Sequence, residues 1–280
     1  MLLFQKNQSL KDYSTWGIGG PAKLFCKVSN ANEMQEAMQL GERFIVIGKG
    51  SNCLFDDRGF NGLVILNKIE FCERVGSEYH VGSGYNFSLL GSRAARAGLA
   101  GLEFASGIPG TVGGAVFMNA GAGGHETCDA LVDVQYMHKS GDLQIFKRAD
   151  LNFSYRSSPF QTMEGAIISA RFQLTESKAA KQNQLDLIRY RTATQPYGEK
   201  TCGCVFRNPG PESAGAIIEK CGLKGLRIGG VEVSDCHANF LINRGDGTSK
   251  DVLELVDKIK QIVQEKEGVK LQFEVCKIGY

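Results

Sequence analysis

Residues 101–124 contain eight glycines and one proline among mostly small residues. Glycine inside a helix or strand costs roughly 0.5–1 kcal/mol relative to alanine, so this segment is poorly suited to a core element. A ligand that needs bare backbone close to it, with N–H groups pointing at phosphate or ring oxygens, gives a physical reason for such a composition. The segment therefore predicts a binding site for a large phosphorylated cofactor.

Two other glycine motifs resemble nucleotide-binding sequences without meeting their requirements. Gly17-x-Gly19-x-x-Ala22 has the spacing of a dinucleotide fingerprint, but the pattern predicts a following strand instead of a helix, and the acidic ribose partner is missing. Gly48-Lys49-Gly50-Ser51 is similar to a P-loop, but that motif needs glycine at position 43, where this chain has arginine. The sequence argues against both kinds of site.

Six segments, in order along the chain, together carry a resemblance to known proteins. They are 48–52 (GKGSN), 107–115 (GIPGTVGGA), 118–122 (MNAGA), 155–158 (YRSS), 203–209 (GCVFRNP) and 274–279 (EVCKIG). The first three resemble the flavin-binding loops of the vanillyl-alcohol-oxidase-type fold, and the others add signatures of the UDP-N-acetylenolpyruvoylglucosamine reductases. The resemblance extends from Tyr13 to Gly279.

The resemblance implies an α+β protein with a vanillyl-alcohol-oxidase/PCMH-type FAD-binding fold in two subdomains, followed by a C-terminal α+β substrate-binding domain. The expected boundaries are 1–66 and 67–177 for the FAD-binding subdomains and 178–269 for the UDP-sugar domain, with strand 270–280 returning to the second subdomain. The interval between Phe172 and Arg191 is too short for an extra tyrosine-bearing substrate loop. The chain therefore resembles the shorter class of the family.

The glycine loops are expected, from the resemblance, to hold non-covalent FAD. Backbone N–H groups would bind its pyrophosphate in place of cationic side chains, and Ser51 and Asn52 would add side-chain hydrogen bonds. Tight turns without a ligand are the alternative explanation for the glycines. The expected cofactor-binding residues are Gly48, Lys49, Gly50, Ser51, Asn52, Gly107, Pro109, Gly110, Thr111, Gly113, Gly114, Asn119 and Gly121.

The activity implied by the resemblance is the NADPH-dependent, FAD-mediated reduction of UDP-N-acetylglucosamine enolpyruvate to UDP-N-acetylmuramate, in peptidoglycan precursor synthesis. Negative charge builds beside the substrate carboxylate, so the protein must stabilise that charge and supply a proton. Arg156 is expected to bind the carboxylate with its planar guanidinium. Glu274 is expected to stabilise the enolate while protonated or hydrogen-bonded, which predicts a raised pKa. A surface arginine and an exposed strand glutamate are the alternatives.

Cys204 departs from the family pattern, which has serine as the proton donor at this place. A thiol, with a reference pKa near 8.5, is a far stronger acid than an alcohol, so proton delivery is expected to survive. The third expected catalytic residue is therefore Cys204. Its alternatives are a buried apolar cysteine or a redox pair with Cys202.

Four polar residues in the expected substrate domain are candidates for substrate binding, with ordinary surface or core roles as the alternative. Arg191, Lys200 and Asn208 are expected partners of the UDP diphosphate, and His237 is expected to line the same pocket. The remaining histidines, at positions 80, 125 and 138, receive no role from the sequence.

Hydrophobic periodicity and turn residues predict the elements that must position these groups. Helices are expected over 30–40, 86–97, 181–191 and 213–221, and a further helix is expected to begin at a capping box over 248–251. The segment Lys139-Ser140-Gly141-Asp142 predicts a hairpin. Strands are expected over 22–28, 44–47, 63–66, 79–82, 131–138, 143–147, 166–174, 237–243 and 271–278, with a strand entering a turn over 203–211.

Composition narrows the class of partner. The net charge of +2 and the absence of a basic cluster argue against nucleic acid, and no apolar run is long enough for a membrane span. The nine cysteines follow no regular spacing, which indicates reduced thiols in a cytoplasmic protein and no metal site. We expect a monomer that acts on small molecules, a UDP-sugar and NADPH.

Two other functions remain open at this point. An FAD-dependent oxidase of the same fold would act on an alcohol, often with covalent flavin, and the set of Arg156, Cys204 and Glu274 argues against it. A flavin-free module that binds a UDP-sugar would keep the fold without the yellow cofactor.

Overall fold

The computed structural model describes residues 2–280. The helices in this range are α1 (Ala31–Met38), α2 (Phe87–Arg96), α3 (Val112–Met118), α4 (Ala180–Thr194), α5 (Ala214–Lys220) and α6 (Ser249–Glu267). The strands are β1 (Gln5–Ser9), β2 (Pro21–Val28), β3 (Phe44–Ile47), β4 (Cys53–Phe55), β5 (Phe60–Asn67), β6 (Cys72–Val75), β7 (Glu78–Gly82), β8 (Leu99–Ala100), β9 (Gly121–Ala122), β10 (His125–Glu126), β11 (Leu131–His138), β12 (Leu143–Lys147), β13 (Gly165–Gln173), β14 (Thr175–Glu176), β15 (Arg227–Ile228), β16 (Val231–Val233), β17 (Leu241–Asn243) and β18 (Cys276–Ile278).

The chain folds into two compact units and passes between them several times. The first unit contains 2–5, 24–48 and 62–191, and the second contains 6–23, 49–61 and 192–280. The division of the chain into three domains at 66/67, 177/178 and 269/270 stays a prediction.

An antiparallel five-stranded sheet forms the centre of the first unit, in the order β12-β11-β13-β7-β6. The apolar faces of α2 and α3 share a core with this sheet, which contains Phe87, Leu90 and Val116. A second core lies where α1 meets β2, β3 and β5, with β3 and β5 running parallel. The hairpin predicted at 139–142 joins β11 and β12, which pair antiparallel.

The second unit is built around the long helix α6. Val252, Leu255, Val256, Ile259 and Val263, all on one helical face, are buried against α5 and the sheet β15-β16-β17. The helix begins at the predicted capping box, in which Thr248 accepts a hydrogen bond from the N–H of Asp251, and it ends at Gly268 in the left-handed region. The last strand, β18, pairs parallel with β4, which follows the 48–52 loop.

Most of the predicted elements are present, and three predictions need correction. The expected strand over 237–243 is a strand only at β17, because residues 234–240 form a turn in which Ser234 Oγ accepts hydrogen bonds from the N–H groups of Cys236 and His237. The segments 203–211 and 271–278 are mostly irregular. They meet through one isolated bridge, between Phe206 and Phe273, and only β18 is a regular strand.

Within residues 2–280 no helix combines the length and the apolar character needed to cross a bilayer.

Candidate active site

Arg156 lies at the tip of a tight turn in the first unit. Ser154 and Ser157 close the turn with reciprocal backbone hydrogen bonds of 3.1 and 2.9 Å. Arg156 has φ +55°, a left-handed conformation that an arginine rarely adopts. Its Nη2 donates a hydrogen bond of 3.1 Å to the carbonyl of Gly121, so the guanidinium is held beside the 118–122 loop.

Cys204 lies in the second unit, on a segment that is held by Asn239. The main chain of Cys204 bridges antiparallel to Phe240. The buried Asn239 side chain accepts a hydrogen bond from the Phe206 N–H and donates one to the Phe206 carbonyl, both at 2.9 Å. A third bond of 2.8 Å runs from the Val205 N–H to the Asn239 carbonyl, so one residue fixes the backbone next to the half-buried thiol.

Glu274 lies on the segment next to that of Cys204. Its N–H donates to the Val205 carbonyl at 2.8 Å, and Phe206 bridges antiparallel to Phe273. Leu271 and Val275 are buried in the core of the second unit with Phe273 packed against it, while Glu274 is half-buried. The backbone thus brings Cys204 and Glu274 onto neighbouring segments of one unit, and Arg156 belongs to the other unit.

The first glycine loop owes its glycine at position 50 to protein packing. Gly50 has φ +62°, and a Cβ there would overlap the carbonyl oxygen of Tyr13. The Gly50 carbonyl accepts a hydrogen bond of 3.3 Å from the N–H of Thr15, and the Asn52 carbonyl accepts one of 3.0 Å from the N–H of Cys276. The last strand of the chain therefore helps to shape this loop.

The second glycine loop corrects our interpretation of its N–H groups. The N–H of Val112 donates to Tyr85 O at 2.9 Å and that of Gly113 to Ser83 O at 2.8 Å. The N–H of Gly114 donates to the capping Oγ1 of Thr111 at 3.3 Å. These three donors have acceptors within the protein, so they do not form the expected phosphate cradle. Position 113 requires glycine because a Cβ there would contact Ser83.

Arg191, at the end of α4, lies over the same loop. A Cβ on Gly107 would lie 2.5 Å from Cδ and Nε of Arg191, so glycine leaves room for this side chain. The Nε atom is buried and has no hydrogen-bond partner within residues 2–280. A buried donor without an acceptor costs free energy, and an anion bound at the guanidinium would supply the missing partner.

The Asn119 side chain makes three hydrogen bonds to other residues of the protein. The residue is fully buried, and its Nδ2 donates to Glu126 Oε2 at 2.7 Å and to Ser154 O at 3.0 Å. Its Oδ1 accepts a hydrogen bond of 3.1 Å from the N–H of Cys128. These bonds use both protons of the amide and one lone pair of its oxygen, so the side chain holds the 118–122 loop in place, and its contact with the cofactor stays a prediction.

The other substrate candidates lie in the second unit. The Lys200 side chain packs along Gly17, with Cδ 3.5 Å from the position of a Cβ. Asn208 Oδ1 accepts a hydrogen bond of 3.0 Å from the N–H of Ala214 at the start of α5. His237 stacks edge-on with Phe240 at 4.8 Å, and its Nδ1 accepts a hydrogen bond from the N–H of Asn239.

Known proteins with similar sequences and structures identify the family. The C-terminal domain of UDP-N-acetylenolpyruvoylglucosamine reductase matches residues 195–278, and an FAD binding domain matches 22–147. The UDP-N-acetylenolpyruvoylglucosamine reductase of Protochlamydia amoebophila is 54% identical over 282 residues, which cover 99% of this chain and 94% of that protein. The enzyme of the same name from Chlamydia muridarum is 46% identical, with 97% and 93% covered.

The chain belongs to the UDP-N-acetylenolpyruvoylglucosamine reductase family. The crystal structure of the reductase from Thermus caldophilus agrees, with a TM-score of 0.85 at 38% identity over 99% of this chain and 98% of that one. The predicted family, the α+β fold with an FAD-binding domain and the oxidoreductase class are confirmed. As a member of the reductase family, the protein is an FAD-containing oxidoreductase.

One side chain that the sequence assigned to the substrate, that of Arg191, fits FAD instead. The unpartnered Nε of Arg191 beside Gly107 suits the phosphate of a dinucleotide, in the part of the chain next to the start of α3. From the sequence we expected Arg191 to bind the substrate, and no motif pointed to a role for Gln161 or Asn239. Asn239 follows the His237 that was singled out, but an asparagine that binds backbone has no sequence signature.

Cys202 is a core residue, and its burial argues against a redox pair with Cys204. Within residues 2–280 none of the nine cysteines forms a disulfide, and Cys202 is buried. Its Sγ lies 3.5 Å from Thr15 Oγ1 and 3.5 Å from Cys53 O. Burial raises the pKa of Cys202 from 9.0 to about 11, so the thiolate needed for disulfide exchange is suppressed.

This burial predicts a loss of stability in alkali. The unfolded chain releases the Cys202 proton near pH 9 and the folded chain only near pH 11, so the free energy of unfolding falls as pH rises through that window. This thiol contributes a fall of roughly 3 kcal/mol at most. Urea unfolding at pH 8, 9, 10 and 11 should give a shallower decline for Cys202→Ala than for the parent. The exposed Cys236→Ala is the control, and equal slopes for all three proteins would contradict the prediction.

Proposed function

We propose that this protein reduces the enolpyruvyl ether of UDP-N-acetylglucosamine enolpyruvate to the lactyl ether of UDP-N-acetylmuramate, with NADPH as the electron donor. One observation carries the assignment of residues: the Glu274 N–H to Val205 carbonyl bond, which joins the segments of Cys204 and Glu274 in a chain that matches the named reductases along nearly its whole length. When bound, FAD supplies the transfer of hydride from NADPH to the double bond.

Arg191 and the two glycine loops are the proposed contacts to FAD. The guanidinium of Arg191 gives a charge-assisted donor for a phosphate oxygen, and its unpartnered Nε supports this role over one at the UDP diphosphate. The loops contribute main-chain groups and small side chains, except that Gly113 and Gly114, whose N–H groups bind the protein, contribute only a surface without side chains. Their proposed members are Gly48, Lys49, Gly50, Ser51, Asn52, Gly107, Pro109, Gly110, Thr111, Gly113, Gly114 and Gly121.

Arg156 binds the carboxylate of the substrate. A guanidinium presents two parallel N–H donors to a carboxylate, and the attraction grows as negative charge spreads into that group in the transition state. Gly121 O already fixes one edge of the guanidinium through Nη2, so the side chain is oriented before the substrate arrives.

Cys204 holds the proton that completes the reaction. Its Sγ–H transfers this proton to the carbon beside the carboxylate, where negative charge develops after hydride has reached the terminal carbon. Asn239 fixes the backbone at Val205 and Phe206, the two residues that follow the thiol, which keeps the donor in place.

Glu274 stabilises the same charge from the neighbouring segment. Its carboxyl group must be protonated or hydrogen-bonded in this role, because an ionised carboxylate would repel the enolate. Lys200, Asn208 and His237 are the proposed contacts for the UDP part of the substrate, since all three lie in the second unit with Cys204 and Glu274. We also propose a cytoplasmic monomer organised as the three expected domains.

The test of the function is an anaerobic half-reaction. The purified yellow protein is bleached with one equivalent of NADPH, and UDP-N-acetylglucosamine enolpyruvate is then added without oxygen. The flavin absorbance should return with this substrate and not with UDP-N-acetylglucosamine, which has no enolpyruvyl group. Failure of both compounds to reoxidise the flavin, or equal reoxidation by both, would refute the reductase activity.

The role of Arg191 predicts a phosphate-dependent loss of cofactor. Arg191→Met keeps an unbranched chain as far as the position of Nε and removes the guanidinium charge, so FAD should bind about 10- to 100-fold more weakly, as expected for a lost charge-assisted hydrogen bond. Riboflavin, which has no phosphate, should bind the variant and the parent equally. Flavin fluorescence quenching on titration of the apoprotein measures both affinities.

Arg189→Met, at an exposed position of the same helix, is the matched control and should change neither affinity. If Arg191→Met left FAD binding intact and raised the KM for the UDP substrate, the side chain would return to its first expected role.

A further inference from the structure

The backbone conformation of Arg156 needs an explanation. In residues 2–280 the non-glycine residues with positive φ are Asn7, Asn119 and Arg156. Asparagine tolerates this region, whereas arginine gains nothing from it, so the surrounding structure must hold it there. Two of these residues, Asn119 and Arg156, belong to one hydrogen-bond network.

Asn119 holds one end of the turn that carries Arg156. It caps the C-terminal end of α3 with φ +44°, and its Nδ2 donates to the Ser154 carbonyl at 3.0 Å. Ser154 is the residue whose main chain pairs with Ser157 across the turn. The first residue of the turn is thereby fixed to the end of α3.

Gln161 holds the tip of the same turn. Its Nε2 lies 3.2 Å from the Arg156 carbonyl and 3.0 Å from the Phe117 carbonyl, with Met118 Sδ farther away at 3.7 Å, so its two protons can serve the two carbonyl oxygens. Ser158 Oγ donates to the same Phe117 carbonyl at 2.7 Å. The amide of Gln161 therefore ties the strained residue itself to the last turn of α3.

We propose that Gln161, together with Asn119, is a positioning residue that keeps Arg156 in its left-handed conformation and so aims the guanidinium at the substrate carboxylate. The inference rests on the role of Arg156 given under the proposed function. Without the amide donor, Arg156 relaxes to an ordinary backbone conformation, and its side chain leaves the direction set by the Gly121 carbonyl. The guanidinium stays on the protein, but its alignment with the charge of the transition state is lost.

Three substitutions at one position separate donation from packing. Gln161→Ala removes the donor, and Gln161→Glu replaces it with an acceptor facing two carbonyls. Gln161→Lys keeps a donor on a flexible chain that reaches the same oxygens. Thr162→Ala is the matched control, because its Oγ1 donates to Pro159 O in the same segment without contacting Arg156.

Anaerobic stopped-flow measurements on the holoenzyme give two rates for each variant. We expect the rate of flavin reduction by NADPH to stay within twofold of the parent in all of them. The rate of flavin reoxidation by UDP-N-acetylglucosamine enolpyruvate should fall about tenfold in Gln161→Ala and Gln161→Glu, equivalent to about 1.4 kcal/mol of barrier. In the steady state kcat should fall more than KM rises, and Gln161→Lys should recover most of the rate.

The outcomes divide cleanly. The positioning role is overturned if Gln161→Ala leaves the rate of flavin reoxidation unchanged. It is also overturned if Gln161→Lys and Thr162→Ala lower this rate as much as Gln161→Ala does. A parallel measurement on Arg156→Ala separates the two claims, because an unchanged rate there refutes the role of Arg156 itself. If Gln161→Ala fails to fold, the comparison of Gln161→Glu with Gln161→Lys decides, with thermal melting temperatures recorded for both.

Discussion

Cys204→Ala should accept electrons from NADPH at the parental rate and fail to pass them to the enolpyruvyl substrate. A positioned general acid contributes a factor of about 100 to 10,000, so we expect the rate of flavin reoxidation to fall by a factor within that range. Alanine removes the whole Sγ–H group and adds no new atom, and Asn239 holds the segment through main-chain atoms that the substitution leaves in place. Anaerobic mixing of the reduced variant with substrate measures the effect.

Cys204→Ser is the informative partner of this variant. Serine also carries one proton and is smaller, so substantial turnover should remain, although the hydroxyl is a weaker acid than the thiol. The exposed Cys236→Ser controls for the loss of a thiol elsewhere. Normal turnover by Cys204→Ala would remove this residue from the reaction and leave it as a half-buried packing residue.

Much of the fold is visible in the sequence because local interactions determine where many elements begin. Asn30, Asn86 and Thr248 were each expected to start a helix, and each accepts a hydrogen bond from an N–H in the first turn. The hairpin at 139–142 was predicted from its turn residues in the same way. These signals need only a few neighbouring residues, so a single sequence is enough to find them.

The errors occur where distant residues decide the outcome. In the segment 237–243 apolar and polar residues alternate as in a strand. Ser234 Oγ, however, accepts hydrogen bonds from two N–H groups just before and at the start of this segment and stabilises a turn there. At two positions glycine does indicate that another group comes close to the backbone, but we expected that group to be a ligand and it belongs to the protein. Gly50 and Gly113 are small because of Tyr13 and Ser83, two residues far away in sequence.

The candidate site shows the same division. Arg156, Cys204 and Glu274 could be selected by their resemblance to family motifs, since those motifs are contiguous. The residues that hold them could not be selected from the sequence. The side chains of Asn239 and Gln161 bind main-chain carbonyl and N–H groups, and because every residue has these groups, no sequence motif marks such a contact. Arg191 was noticed for its charge, but only the structure shows its buried Nε against Gly107, the observation that supports our proposal of a cofactor phosphate.

Arg156→Lys should lower the rate of flavin reoxidation about 100- to 1,000-fold, the range measured elsewhere for the loss of one donor to a developing oxyanion. Lysine keeps the charge but concentrates it on one ammonium, so it loses the paired geometry and the bond from Nη2 to Gly121 O. Reduction by NADPH should be unaffected, because no part of that step needs the substrate carboxylate. The same stopped-flow assay gives both rates.

Because the attraction to the carboxylate grows in the transition state, the loss should be seen in kcat more than in KM. Arg96→Lys, at an exposed position of α2 in the same unit, is the control and should match the parent. A variant that raised KM alone would show that Arg156 binds the carboxylate equally in substrate and transition state. The left-handed backbone at this residue would then serve binding, and the stabilisation of the enolate would have to come from Glu274 and Cys204.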